Sequence, residues 1–262
     1  MIENNEVIEM DDNFEKKLEH SKEIVRQAIK EHGKIAVACS FGKDSMAVVH
    51  LAREVDPKIP IFSILTRFKP VETFEYLVNI NKQMNLGPTV FMVADEVPSI
   101  LKENGIKVNL LPAKKFEEIC KEIEETSGGK KIYESDPDTC CNLLKVDPAK
   151  EAVKDLGAWV CGLRNTEGRT RKDYKEVEER GLVKINPILS WTEKEVLDYL
   201  KKNEIGLHPW YDKVFPDGRR IRSLGCEPCT VAIFDNQEER DGRWQGTSKC
   251  GGECGIHTQT LK

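Results

Sequence analysis

The chain has 262 residues, 39% of them hydrophobic, with a formal net charge of −5 and a pI of about 5.7. That is long enough for one large α/β domain or two small ones with a genuine core, and no continuous basic block gives it the electrostatic footprint of a nucleic-acid binder. The acidic leader Met1–Glu15 holds no apolar run fit for a signal peptide or a membrane span, which points to a cytoplasmic protein, and nine cysteines in that reducing compartment read as metal, cluster or redox groups and not as a disulfide framework.

From the leader onward the hydrophobic period alternates between helix and strand. Phe14, Leu18, Ile24, Val25, Ala28 and Ile29 recur at three- and four-residue intervals, which predicts an amphipathic helix ending near Gly33. Lys34–Cys39 reads as a buried strand, Ser40–Ser45 as a tight turn, and Met46–Arg53 as a helix. A second strand follows over Ile59–Leu65, a helix over Glu72–Met84 and a third strand over Thr89–Val93. Lys107–Leu111 is a fourth strand, Lys114–Glu125 a helix and Trp159–Leu163 a further strand. Ser190 and Glu193 have the spacing of a capping box, opening a helix that runs to about Asn203. This order predicts an α/β fold, a mostly parallel sheet with helices on both faces, with ligands beyond the carboxyl ends of the strands. From Arg240 the sequence turns polar and Gly-rich, as a flexible C-terminal tail would.

Three groups of residues carry chemistry. Ser40-Phe41-Gly42-Lys43-Asp44-Ser45 lies between a buried strand and a helix, where backbone N–H groups, Lys43 and the hydroxyls can cradle a phosphate or sulfate. An ordinary capped turn is the alternative, and the spacing is not that of a Walker A loop. Arg164, Arg169, Arg171 and Lys172 follow a strand end and could clamp a polyanion, with position favouring Arg164 and Arg169. The pairs Cys140-Cys141 and Cys226-Glu-Pro-Cys229 could hold zinc or an iron–sulfur cluster; adjacent cysteines diverge, which suits a cube better than one zinc ion. Cys254 stands on the tail with no apolar neighbourhood, where a mobile thiolate could close on a cationic pocket. His257 could lower its pKa or hydrogen-bond a ligand, and Cys250 reads as incidental.

From Ile35 onward the chain resembles the thioredoxin-dependent sulfonucleotide reductases, in the adenylylsulfate (APS) reductase branch of the PAPS reductase family. The resemblance rests on Cys140-Cys141 followed by Lys145 and Pro148, on Arg222-Ser-Leu-Gly-Cys-Glu-Pro-Cys-Thr230, and on Glu239–Trp244 leading to Glu253-Cys-Gly-Ile-His257. It implies an adenine nucleotide α-hydrolase-like fold and a [4Fe–4S] cluster on Cys140, Cys141, Cys226 and Cys229, ordering the pocket more than relaying electrons. It implies that Cys254 attacks the sulfur of APS and expels AMP, and that a thioredoxin-type thiol releases sulfite from the S-sulfonate, as in assimilatory sulfate reduction and cysteine biosynthesis. Ser40, Gly42, Lys43, Asp44 and Ser45 would bind substrate, with Lys145, Arg164, Arg169 and Arg243 supplying charge. Residues 1–238 would form the nucleotide and cluster domain, and 239–262 the mobile tail. A homo-oligomer stays open.

The chain departs from the family pattern at Leu65-Thr-Arg-Phe-Lys-Pro70, where an Asp-Thr-Gly-type turn is usual: an acid has become neutral and Arg67 and Lys69 have appeared. Those bases could meet a 3′-phosphate, so a PAPS-preferring reductase is the near alternative, although such relatives generally lack the four cysteines. The Gly42–Ser45 loop also resembles ATP pyrophosphatases, which keeps an ATP-using adenylyl or sulfur transferase as a second class. A nucleotide-binding or redox-sensing protein stapled by zinc or a cluster is the non-enzymatic reading.

Overall fold

The computed structural model describes residues 11–262, Arg180 by its backbone alone; most of the acidic leader therefore lies outside the described residues. The elements are α1 (Asp12–His32), β1 (Ile35–Ala38), α2 (Lys43–Val55), β2 (Ile61–Ile64), α3 (Val71–Met84), β3 (Thr89–Val93), α4 (Ser99–Glu103), β4 (Lys107–Leu111) and α5 (Lys114–Thr126). Short helices α6 (Ile132–Ser135) and α7 (Pro137–Cys141) lead through a π-helical turn, Asn142–Val146, into α8 (Asp147–Val153). Then come β5 (Ala158–Val160), β6 (Val177–Arg180), β7 (Leu182–Ile185), α9 (Glu193–Lys202) and, in the tail, α10 (Gly255–Thr258).

The strands form one sheet in the order β4-β3-β2-β1-β5-β7-β6, parallel except for the β6–β7 hairpin. Successive strand residues face opposite sides, as a pleated backbone requires. Val37, Ile61, Val90 and Val160 join the core under α1, α2, α3 and α9, while Ala36, Phe62, Phe91 and Trp159 pack on the other face with Ala149 and Val153 of α8. The chain runs outward from β1 to β4, then returns to the far side of β1 with β5. That reversal opens a crevice at the carboxyl ends of β1 and β5, where open α/β sheets bind ligands. Among the described residues no helix is long and apolar enough to cross a membrane.

Four readings of the sequence change. Helix α2 begins at Lys43, so Lys43, Asp44 and Ser45 form its first turn and not the preceding loop. Helix α9 is capped by Thr192 and Glu195, not by Ser190 and Glu193: Thr192 Oγ1 accepts from Glu195 N at 3.2 Å, and Glu195 Oε2 accepts from Thr192 N at 2.6 Å. Burial of Trp191, whose indole donates to Ser21 Oγ at 3.1 Å, delays the helix by two residues. The acidic stretch after Lys175 holds an edge strand, turned at Gly181 (φ 80°) into β7, which pairs with β5. Finally, the tail is packed against the body: Trp244 and Leu261 are buried, and a Cβ on Gly255 would meet Val146 Cγ2 at 2.8 Å.

Gly162 sets the crevice depth, because a Cβ there would lie 2.7 Å from the Asp44 carbonyl in the first turn of α2. Gly162→Ala must push strand end and helix apart, and we expect a loss of about 2 kcal/mol, or roughly 4–8 °C in Tm. Gly206→Ala, where no atom lies within 4 Å of the added methyl, is the control and should leave Tm nearly unchanged in the same thermal melts.

Candidate functional site

A cavity of about 190 Å³ fills the crevice. Its floor is the end of β1 and the turn beyond it: Ala38, Cys39, Ser40 and Gly42. Phe41 takes a left-handed conformation (φ 63°) with its ring fully buried, so the turn doubles back sharply. Ser45 Oγ accepts from Ser40 N at 3.2 Å and donates to Gly42 O at 2.9 Å, which holds the loop shut. Lys43 N donates to Tyr211 Oη at 3.2 Å, and Gly42 leaves room for that hydroxyl. One cradle N–H is therefore taken by the protein, while both serine hydroxyls remain at the cavity wall. Apolar surface comes from Phe62, Ile64, Trp159 and Leu224, a lining suited to a nucleobase or sugar.

Lys43 and Arg164 do not line this cavity. Lys43 turns away to Glu239 Oε2 at 2.8 Å and donates to Arg222 O at 2.8 Å. Burial alone would lower its pKa, but Asp44 and Glu239 hold it above the ordinary lysine range. Arg164 has no exposed surface: Nε donates to Asp44 Oδ1 at 2.6 Å, Nη2 to Glu239 Oε2 at 2.6 Å and Nη1 to Thr166 Oγ1 at 2.8 Å. Its charge is spent on the scaffold, and Asp44, which burial would push up, is kept low by Arg164 and Lys43. Arg169 also lies outside the cavity, 79% exposed beside Glu238. The clamp expected of Arg164 and Arg169 is thus not where the ligand space is.

Other cations occupy that space. Arg171, Arg240, Arg243, Lys145 and Lys69 all line it. Arg171 is paired: Nη1 donates to Glu167 Oε1 at 2.7 Å, and Nε and Nη2 grip Glu253 at 2.7 and 3.1 Å. Arg240 Nη2 adds a bond to Glu253 Oε1 at 2.8 Å. Burial would raise Glu253, but these two guanidiniums hold it well below the usual carboxylate range. Arg243 lies over Gly225, where any Cβ would collide with it, and stacks 4.8 Å from the Trp244 ring. Its Nε is buried with no hydrogen-bond partner among the described residues, and Nη1 makes only a 3.4 Å contact to Thr230 Oγ1. Lys145 sits on the π-helical turn and faces both the cavity and the cysteine pocket. Burial would lower it, yet Cys226, Cys254 and Cys141 hold it above the ordinary range.

The latch on Glu253 delivers the next residue. Cys254 lines the cavity half-exposed, with its N–H donating to Glu253 Oε1 at 2.8 Å and its side chain packed beside Trp244. His257 donates its backbone N–H to Cys254 O at 2.9 Å and stacks on Trp159, 5.9 Å between centroids at 7°. Burial, with Arg171, Lys184 and Arg240 nearby, keeps its pKa well below 6.5, so the ring is neutral. It therefore offers no positive charge to the thiol; its buried Nδ1, without a partner among the described residues, offers a hydrogen bond to a ligand. Cys250 is exposed, away from the cavity lining.

Cys140, Cys141, Cys226 and Cys229 are buried, free of disulfides, and line one pocket with Thr66, Phe68 and Tyr133. Burial and the neighbouring thiols push Cys140 up, and Cys229 to about 11, whereas Lys145 and Lys69 draw Cys226 down against its burial. Among the described residues no three His, Cys, Asp or Glu side chains converge closely enough to hold a single metal ion. Four thiols beside a lysine, with no carboxylate in the pocket, fit the donor set of an iron–sulfur cluster.

Of the residues singled out from sequence, Ser40, Gly42, Asp44, Ser45, Lys145, Arg243, Cys254 and His257 meet at one cavity. Arg240, Glu253 and Trp159 are members that sequence reading passed over, and Arg171, named in the strand-end clamp but not favoured by position, is the clamp residue that lines the cavity. Glu253 and Arg240 lay inside quoted motifs, but the pairing of Glu253 with Arg171 across 82 residues leaves no local signal.

A family model described as the phosphoadenosine phosphosulfate reductase domain matches residues 34–123 and 102–232. The chain is 31% identical over 236 residues to an adenosine 5′-phosphosulfate reductase of Bacillus cereus, covering 88% of each chain. To the protein of the same name from another strain of Bacillus cereus it is 30% identical over 240 residues, 90% of this chain and 89% of that one. Among solved structures it is similar to phosphoadenylyl-sulfate reductase from Candida auris, with TM-score 0.58, 20% identity and coverage of 86% and 99%. Candida glabrata FMN adenylyltransferase, at TM-score 0.52, 14% identity and coverage of 95% and 79%, shares the fold.

Glu253 gives the site a pH dependence of known sign. Its folded pKa lies below its unfolded one, so the unfolded chain binds more protons. The latch therefore contributes fully above the ordinary carboxylate value of about 4.3 and is lost as pH falls below it. Glu253→Gln should cost about 3 kcal/mol near neutrality, with the gap to wild type shrinking on acidification in thermal melts. A gap independent of pH would place the stabilisation elsewhere.

Proposed function

The chain belongs to the phosphoadenosine phosphosulfate reductase family and is a sulfonucleotide oxidoreductase by that membership, and on that premise we propose that it reduces APS to sulfite and AMP through an S-sulfonate on Cys254. One observation carries the reading. A half-exposed thiol faces a cavity in which Lys145 and Arg243 have no carboxylate partner among the described residues. A cavity with unpaired positive charge favours a dianionic ligand and the charge that develops on a leaving nucleotide.

The Cys254 thiolate bonds to the sulfate sulfur, and the bond from that sulfur to the bridging oxygen breaks, its electron pair leaving with AMP. A thioredoxin-type thiolate then attacks Cys254 Sγ, sulfite leaves with the S–S electron pair, and the donor's second thiol resolves the mixed disulfide. The two donor thiols become a disulfide and supply the two electrons that take sulfur from sulfate to sulfite. Lys145 faces the thiol, Arg243 meets the anion, and the neutral His257 donates or accepts at Nδ1. Ser40 and Ser45 hold the phosphate end. A [4Fe–4S] cluster on Cys140, Cys141, Cys226 and Cys229 would supply a fixed negative charge that orients Lys145. Nine free cysteines suit a reducing cytoplasm.

Preference for APS over PAPS draws on Arg67. It points outward, stacked 5.1 Å over Phe116 and 3.4 Å from Glu117, so it is not available to a 3′-phosphate in the cavity. Anaerobic incubation with APS followed by intact-mass analysis tests the mechanism. We expect a single sulfonate adduct on Cys254 that reduced thioredoxin removes as sulfite, and a fall of roughly 10³-fold or more in turnover for Cys254→Ser. Full activity of that variant, or a clear preference for PAPS in competition kinetics, would overturn the reading.

A further inference from the structure

Lys69 sits where the chain departs from its family's turn after β2. Its backbone N–H donates to Thr66 O at 3.0 Å, Phe68 O accepts from Glu227 N at 2.7 Å, and Pro70 opens α3. The turn is therefore held at both ends, and it sends Arg67 outward and Lys69 inward. Only 9% of Lys69 is exposed.

The buried cations of the described residues divide into two groups. Lys43, Arg164, Arg171 and Lys184 each have a carboxylate oxygen within 2.8 Å. Lys69 and Arg243 have none among the described residues, and both line the cavity. A buried charge without a partner is unfavourable unless a ligand supplies the counter-charge. Lys69 lines the nucleotide cavity and interacts with Cys226, while Lys145 borders the four-cysteine pocket itself. Lys145 and Arg243 are the cations that act on Lys69, and Lys145 in turn interacts with Cys254. The three cations therefore act on one another along the same cavity wall, and Lys145 links them to the Cys254 thiol.

Resting on the APS reading above, we propose that Lys69 is a substrate-positioning residue of this chain, whose ammonium holds a sulfonate oxygen of the bound sulfonucleotide for attack by Cys254. The basic residue that arrived with the departure from the family turn thus adds a third positive charge to the sulfonate site, and it does not serve a 3′-phosphate. Without ligand, its burial makes this end of the cavity costly in stability, a cost that the bound anion removes.

The test measures equilibrium binding to cluster-loaded holoprotein carrying Cys254→Ser, so that nothing turns over. The ligands are APS, AMP and adenosine 3′,5′-bisphosphate. Adding Lys69→Met should weaken APS roughly 10- to 100-fold, the worth of a charge-assisted hydrogen bond, and leave AMP within about two-fold. Lys69→Arg should recover most of the loss. The Tm of ligand-free Lys69→Met should not fall, and the iron–sulfur absorbance should be unchanged. Equal weakening of AMP and APS, selective loss of the bisphosphate, a lowered Tm or a lost chromophore would each overturn the assignment. If the parent binds APS and Lys69→Met binds it equally well, the role of Lys69 alone falls. If the parent binds no APS, the reductase reading falls and takes this one with it.

Discussion

A guanidinium with no access to solvent organises this molecule. Arg164 joins the first turn of α2 through Asp44, the start of the tail through Glu239, and the loop after β5 through its own backbone. Three segments far apart in sequence are fixed by one planar fork, and losing a partner from such a buried pair costs about 3–5 kcal/mol. Lys43 completes the same network from the other side. The geometry of the cavity floor and the path of the tail toward it are consequences of this cluster.

The network also sorts the charges. Burying a cation is tolerable beside a carboxylate, and the chain provides one wherever the cation serves the scaffold: Glu239 for Lys43 and Arg164, Glu167 and Glu253 for Arg171, Glu178 for Lys184. Around the cavity, Lys69 and Arg243 are left without one among the described residues. The remaining positive potential lies in the cavity that Cys254 also lines. The latch of Arg171 and Arg240 on Glu253 brings the thiol there, since Cys254 is the next residue and its own N–H is held by the Glu253 carboxylate.

Much of the fold was legible because it is written in local periods. Strands β3 and β4 match their predicted bounds, and α1, α3 and α5 differ by a residue or two, because amphipathic spacing and the alternation of β-branched residues are local signals. The β6–β7 hairpin was missed because an edge strand rich in charge resembles a loop, with Gly181 its one clear mark. The capping box slipped two residues because Trp191 is drawn into the core by a contact with Ser21, 170 residues away. Cys254, Lys145 and Arg243 were readable as site members from motif context. Lys43 and Arg164 were misplaced because only their distant carboxylate partners decide which way they turn.

What the sequence determined by itself was the class of fold, the strands β1 to β5 with the longer helices, and the inventory of chemical groups: paired cysteines, a tail cysteine and basic residues at strand ends. These follow from residue type and short-range spacing, which fix backbone preference and reactivity before any long-range contact forms. What only the tertiary structure decided was the assignment of charges. Lys43 and Lys69 look alike in sequence, both following a strand of the parallel sheet. One is neutralised by Glu239 across 196 positions, and the other is buried in the cavity without a carboxylate. Electrostatics and desolvation act through space, and the partner that makes a lysine structural or leaves it free for a ligand is chosen by the fold.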